Sequence, residues 1–164
     1  AYFAGFGTLT AGVICGGSTA SPDTWYDETE EYDGTNWTNG GALNTARSNG
    51  HATTGLLTAG LTFGGTTPSL TTKTEEYNGT AWTESGDMNT ARSNLAGSGT
   101  QTAALAYGGL TPPATTATEE YNGSTWTTST ATLSTGIARN SSAGSAASTG
   151  LSVGGNPPGI STTE

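Results

Sequence analysis

The chain has 164 residues, 32% of them apolar and 26 of them Gly, and thirteen acids against four basic residues give a net charge of −9. That length fits one domain with a core and does not comfortably fit two; a Gly-, Thr- and Ser-rich composition excludes a helical architecture. Acidity opposes contact with phosphate backbones, so nucleic acid is not an expected partner.

No run approaches the ~18 apolar residues of a membrane span, so no membrane insertion is expected. Residues Ala1 to Cys15 lack the basic and apolar regions of a signal peptide. Four Trp and six Tyr in a regular pattern argue against disorder. Cys15 is the sole cysteine and can form no intrachain disulfide.

In chain order, Ala11, Val13 and Cys15 alternate just before Gly16 and Gly17, the period-two signature of a short strand with one larger face. Ser18 to Asp27 has the composition of a loop. Glu30, Glu31 and Tyr32 begin another strand, and Asp33-Gly34-Thr35-Asn36 carries the chain on to Trp37. Asx-Gly is the strongest short hairpin signal, so Tyr32 and Trp37 are expected on paired antiparallel strands. An Ala-Arg pair ending at Arg47 follows.

The series then returns. Ala59, Leu61 and Phe63 precede Gly64 and Gly65, followed by the loop Thr66 to Thr72, Glu75 to Tyr77, Asn78-Gly79-Thr80-Ala81, Trp82 and Arg92. Asn94 to Thr100 is predicted as a strand leading to the next glycine pair. The third copy has Ala103, Leu105 and Tyr107, then Gly108 and Gly109, the loop Leu110 to Thr116, Glu119 to Tyr121, Asn122 to Thr125, Trp126 and Arg139. A fourth begins with Leu151, Val153, Gly154 and Gly155. The glycine pairs lie 48, 44 and 46 residues apart, and all three arginines are read as one position of the repeat, with Arg139 displaced by three residues. Such a period marks stacked supersecondary units.

Glycine doublet, Tyr, Trp and a downstream Arg resemble the kelch repeat. Tyr77, Trp82, Met88, Arg92 and Ser93 follow the family order, as do Tyr32, Trp37, Arg47 and Ser48, and the likeness covers essentially the whole chain. A short Tyr-to-Trp gap and thin Ala- and Thr-rich strands make it similar to the divergent Thr/Gly-rich kelch arrays of bacteriophage and environmental viral structural proteins. The resemblance implies an all-β fold, a kelch-type β-propeller of about three and a half four-stranded antiparallel blades in an incomplete ring. The blades would span residues 1–43, 44–88 and 89–134, with an incomplete fourth at 135–164. The sequence stops at Glu164, inside an expected strand, which points to a fragment, an incompletely identified chain or half of an assembly. Two such halves would make about seven blades.

The same resemblance implies a non-catalytic structural or binding module, virion or extracellular in location and associated with a tail or fibre. Its partners would be further blades or other copies of itself, virion proteins and host-surface glycan. The alternative is a secreted or cell-surface glycan-binding propeller.

Tyr32, Trp37, Tyr77, Trp82, Tyr121 and Trp126 are expected to wedge between adjacent blades, each burial worth about 1.5–3 kcal/mol. Arg47, Arg92 and Arg139 are expected to tether one carboxylate of each Glu pair bidentately, the other Glu facing solvent. His51 is the only histidine, so neither a triad nor a zinc site is expected. The Glu pairs recur in each unit, whereas an active site breaks symmetry. Asp23, Asp27 and Glu28 read as a solvated loop in preference to a calcium site. No catalytic, metal or cofactor-binding residue is therefore assigned; the loops Ser18 to Asp27, Thr66 to Thr72 and Leu110 to Thr116 are the expected contact surface.

Overall fold

A computed structural model describes residues 3–20, 23–48, 51–139, 141–144, 148 and 151–155. Among these residues the chain is all-β without an α-helix, and no helix is long and apolar enough to cross a membrane. Strands β1 (Ala4–Thr8) and β2 (Ala11–Cys15) pair, an excursion β3 (Ser18–Ala20) and β4 (Asp23–Trp25) folds back on itself, and β5 (Thr29–Tyr32) and β6 (Trp37–Asn39) complete the first sheet. The segment Ser18 to Asp27 is thus a hairpin for most of its length and not an irregular loop.

The second sheet is β7 (Ala52–Leu56), β8 (Ala59–Phe63), β9 (Thr74–Tyr77) and β10 (Trp82–Glu84); the third is β11 (Ala96–Thr100), β12 (Ala103–Tyr107), β13 (Thr118–Tyr121) and β14 (Trp126–Thr128). Each runs in sequence order and is antiparallel throughout. A two-stranded sheet, β15 (Ser141–Ala143) with β16 (Leu151–Val153), comes last. Residues 156–164, including the repeat position assigned to Glu164, lie outside the described residues.

The Asx-Gly hairpins form as their spacing predicts, with Tyr32 opposite Trp37, Tyr77 opposite Trp82 and Tyr121 opposite Trp126. The side chain of Asp33, Asn78 or Asn122 accepts two backbone N–H groups of its own turn, an Asx turn that fixes register locally.

The sheets stack in a blade-like arrangement through their first strands, β1 on β7, β7 on β11 and β11 on β15. Two apolar clusters fill the seams: Cys15, Leu43, Tyr77 and Trp82 with Phe6 in the first, and Leu61, Phe63, Met88, Tyr121 and Trp126 among others in the second. Because the second sheet is covered on both sides, Gly60, Leu61, Thr62 and Phe63 are all buried, so alternation there separates large from small residues and not core from solvent.

Candidate functional site

The seams hold nearly all the recurring chemistry. At the first, Arg47 and Glu75 are both fully buried with Nη2 of Arg47 2.6 Å from Oε1 of Glu75. The other carboxylate oxygen accepts the backbone N–H of Asn44 at 2.7 Å and its side-chain amide at 2.9 Å. Nη1 of Arg47 donates to the carbonyl of Lys73 at 2.8 Å. The second seam repeats this with Arg92 and Glu119 at 2.9 Å, Asn89 donating at 2.7 and 3.0 Å, and Nη1 of Arg92 reaching the carbonyls of Gly108 and Ala117.

The clamp is therefore one Arg nitrogen plus one Asn on each Glu, joined at Glu75 by the backbone N–H of Thr45 at 3.2 Å, not the bidentate fork expected from the sequence. A buried carboxylate needs its lone pairs met, and sharing them among several donors serves that need. Burial pulls the Arg92 guanidinium below its ordinary value, and the neighbouring Glu119 opposes the shift.

In the first two pairs the second glutamate also has a structural partner. The Tyr77 hydroxyl donates to Glu31, and that of Tyr121 donates to Glu76 at 2.6 Å. Burial, helped by these carboxylates, pushes both phenols up to about 12. Trp82 and Trp126 send their indole N–H groups across the seams to Thr29 and Thr74, each at 2.9 Å. Among the described residues no sheet packs over Trp37 as sheets pack over its counterparts, and it is 48% exposed where they are 5%.

The glycine pairs turn the chain and bind the linker. Gly17, Gly65 and Gly109 donate to the carbonyls of Arg47, Arg92 and Ile137 at 2.7–2.8 Å. The preceding Gly16, Gly64 and Gly108 have φ of 63–68°, and a Cβ at Gly16 would lie 2.7 Å from the Arg47 carbonyl, so only glycine fits. Gly154 and Gly155 share the positive φ values.

These bonds also correct the third arginine. Ile137, not Arg139, occupies the position of Arg47 and Arg92; Arg139 is exposed, at φ 58°, and matches Asn94 at φ 51°.

No family model matches the chain, and no curated protein matches it.

Cys15 and His51, the sole cysteine and histidine of the sequence, are brought together by the fold, with Sγ and Nε2 4.0 Å apart and both residues buried. Burial pushes the thiol up to about 12 and holds the imidazole down to about 3. The pair is thus a thiol beside a neutral ring, the reverse of the thiolate–imidazolium that nucleophilic catalysis uses. Among the described residues no group of three His, Cys, Asp or Glu is placed to hold a metal ion, and Asp27 and Glu28 are exposed.

An open cavity of about 840 Å³ lies along the first strands, lined by Thr8, Thr53, Thr54, Leu56, Gln101 and Thr102 with several glycines and no charged side chain. Its glycines Gly7, Gly55, Gly99 and Gly144 sit at equivalent repeat positions with φ of 108–138°. Asn44, Asn89, Thr29 and Thr74 were not singled out by the sequence reading, although the identical segments 44–49 and 89–94, Asn-Thr-Ala-Arg-Ser-Asn, carry the signal for the asparagines.

Proposed function

We propose that the chain is a segment of a kelch-type β-propeller, about three and a half blades long, that serves as a non-catalytic structural and binding module of a virion tail or fibre. The observation that carries this reading is the use of the recurring Arg, Asn, Glu, Tyr and Trp to join one sheet to the next. Chemistry repeated at successive seams builds a rigid scaffold, and the segments after the glycine pairs differ in sequence between units, the kind of place where binding is carried on such scaffolds.

The protonation states of Cys15 and His51 support a non-enzymatic role. Partners are further blades of the same kind or other copies of the chain, then virion proteins and a host-surface ligand; the charge of −9 disfavours nucleic acid. The virion assignment rests on the likeness to viral kelch arrays. Quantitative mass spectrometry of purified particles tests it: a fixed copy number per particle is expected, and particles lacking the chain would overturn it.

A glycan-binding propeller is the second reading, favoured by the uncharged, hydroxyl-rich cavity along β1, β7 and β11. A chain this acidic that keeps charge out of one concavity suits a neutral polyhydroxylated ligand there. Glycan-array binding lost on Thr54→Val or Gln101→Ala supports this reading, and no array signal removes it.

A further inference from the structure

The sequence has four Asn-Gly pairs, beginning at Asn39, Asn49, Asn78 and Asn122. The pair at Asn49 lies outside the described residues, and the structure treats the other three in two different ways. At Asn78, Oδ1 accepts the backbone N–H groups of Thr80 and Ala81, both at 2.9 Å. At Asn122 it accepts those of Ser124 and Thr125 at 3.0 Å, with the Thr125 hydroxyl 3.4 Å away. These bonds fold each side chain forward over the glycine that follows it. Both asparagines are exposed, and the N–H groups of Gly79 and Gly123 have no partner among the described residues. Asn39, also exposed, instead ends β6 opposite Glu30, and Gly40 donates its N–H to the carbonyl of Thr29 at 2.9 Å.

The difference matters for one reaction. The backbone nitrogen of a glycine, with no Cβ beside it to obstruct the approach, attacks Cγ of the preceding asparagine. An N–Cγ bond forms, the glycine N–H proton passes to solvent, and the side-chain nitrogen leaves as ammonia, which closes a succinimide ring. Water then opens the ring. Cleavage of the new N–Cγ bond leaves an ordinary aspartate, and cleavage of the original peptide C–N bond leaves isoaspartate. Negative charge gathers on Oδ1 during the attack, so N–H groups already aimed at that oxygen lower the barrier as an oxyanion hole does. Asn78 and Asn122 have two such donors and a free glycine nitrogen. At Asn39 the nitrogen is committed to the sheet.

We propose that the turns at Asn78 and Asn122 are self-modification sites, at which the fold itself promotes conversion of asparagine to aspartate with water as the only co-reactant, while Asn39 is protected by its place in the sheet. The first unit already carries the product. Asp33 stands at the position of Asn78 and Asn122, and its Oδ1 accepts the N–H groups of Thr35 and Asn36, both at 2.7 Å, with Tyr32 still opposite Trp37. An Asp-Gly turn is therefore compatible with this hairpin, and each conversion adds one negative charge to a chain at −9.

The test incubates the whole chain at neutral pH in water enriched in ¹⁸O, folded in one sample and unfolded in urea in another, and follows each site by peptide mapping with mass spectrometry. Every conversion takes up one ¹⁸O, which separates it from aspartate present at the start. In the folded chain Asn78 and Asn122 should react at least about tenfold faster than Asn39, and faster than they themselves do in urea, where the three rates converge. Thr80→Pro removes one donor and leaves the Asn-Gly pair intact; it should slow Asn78 about threefold to tenfold and leave Asn122 unchanged. A slow Asn39 in the same sample shows that this variant is folded. Asn39 reacting as fast as Asn78 and Asn122 in the folded chain, or those two reacting no faster folded than unfolded, would overturn the proposal, and the comparison of wild type in the two conditions stands whatever the variant does. Neither result bears on whether the chain is found in virus particles or binds glycans.

Discussion

The seam between the second and third sheets and the one after it follow the same backbone path with different chemistry. At the former, Gly65 binds the carbonyl of Arg92, whose side chain clamps Glu119 together with Asn89. At the latter, Gly109 makes the equivalent bond to Ile137, and Ser134 stands where the asparagine was. The turn is therefore set by the glycine pair and its N–H, and the ion clamp is an addition on top of it. A buried ion pair is weak evidence of net stability, because desolvation offsets most of its attraction. Ile137, 3% exposed, is this chain's own example of an apolar residue filling that position.

Breaking the clamp on one side gives the largest expected effect. Arg92→Ala leaves Glu119 buried with only Asn89 to meet it and should cost about 3–5 kcal/mol in denaturant unfolding. Arg139→Ala, at an exposed site, should stay within about 0.5 kcal/mol. Replacing both partners, Arg92→Ile with Glu119→Leu, should recover most of the loss. A double variant as unstable as Arg92→Ala would mean that the clamp is required and that Ile137 is no precedent.

The aromatic wedges give the next contrast. Trp82→Ala removes a buried indole that touches Tyr77 and Phe6 at centroid distances of 4.7 and 6.2 Å, and should cost about 3–5 kcal/mol. Trp37→Ala removes one that is half in solvent and whose one aromatic contact among the described residues is Tyr32, so its cost should be well under half of that. Equal losses would contradict the idea that a wedge needs a sheet on each side.

Much of this was legible in the sequence because the repeat samples each position several times. The strands, the Asx-Gly hairpins and the glycine doublets are local and were read directly. Arg139 misled because Ala138-Arg139 imitates the Ala-Arg pair, while the true register is set by the carbonyl that Gly109 binds, which no spacing rule reveals. The role of Thr29 and Thr74 was hidden for another reason. One threonine among many becomes an indole acceptor only when the next sheet brings Trp82 or Trp126 within 2.9 Å. Likewise, the approach of Cys15 to His51 spans the first seam, beyond the reach of any local pattern.

That approach yields a pH dependence. His51 is held down to about 3 from an ordinary 6.5 by burial first and by the Arg47 charge second. Above the ordinary value both folded and unfolded chains carry a neutral ring, and stability is unaffected. As pH falls below about 6.5 the unfolded chain takes up a proton that the folded chain refuses, so stability declines until about pH 3 and then levels. Carboxylates titrate in the same window, so the informative quantity is the slope of unfolding free energy against pH in wild type minus that in His51→Gln. Wild type should fall more steeply; parallel slopes would show that the ring is not buried neutral.

The smallest expected effect separates the seams most finely. Thr29→Val keeps the shape of a buried strand residue and removes the acceptor for Trp82, leaving an indole N–H without a partner in a closed seam at a cost of about 1–3 kcal/mol. Thr118→Val makes the same chemical change where no indole is seated among the described residues, and the chain alone should lose almost nothing. Thermal unfolding of both variants measures that contrast. Penalties alike would mean that Thr118 serves the fold as Thr29 does.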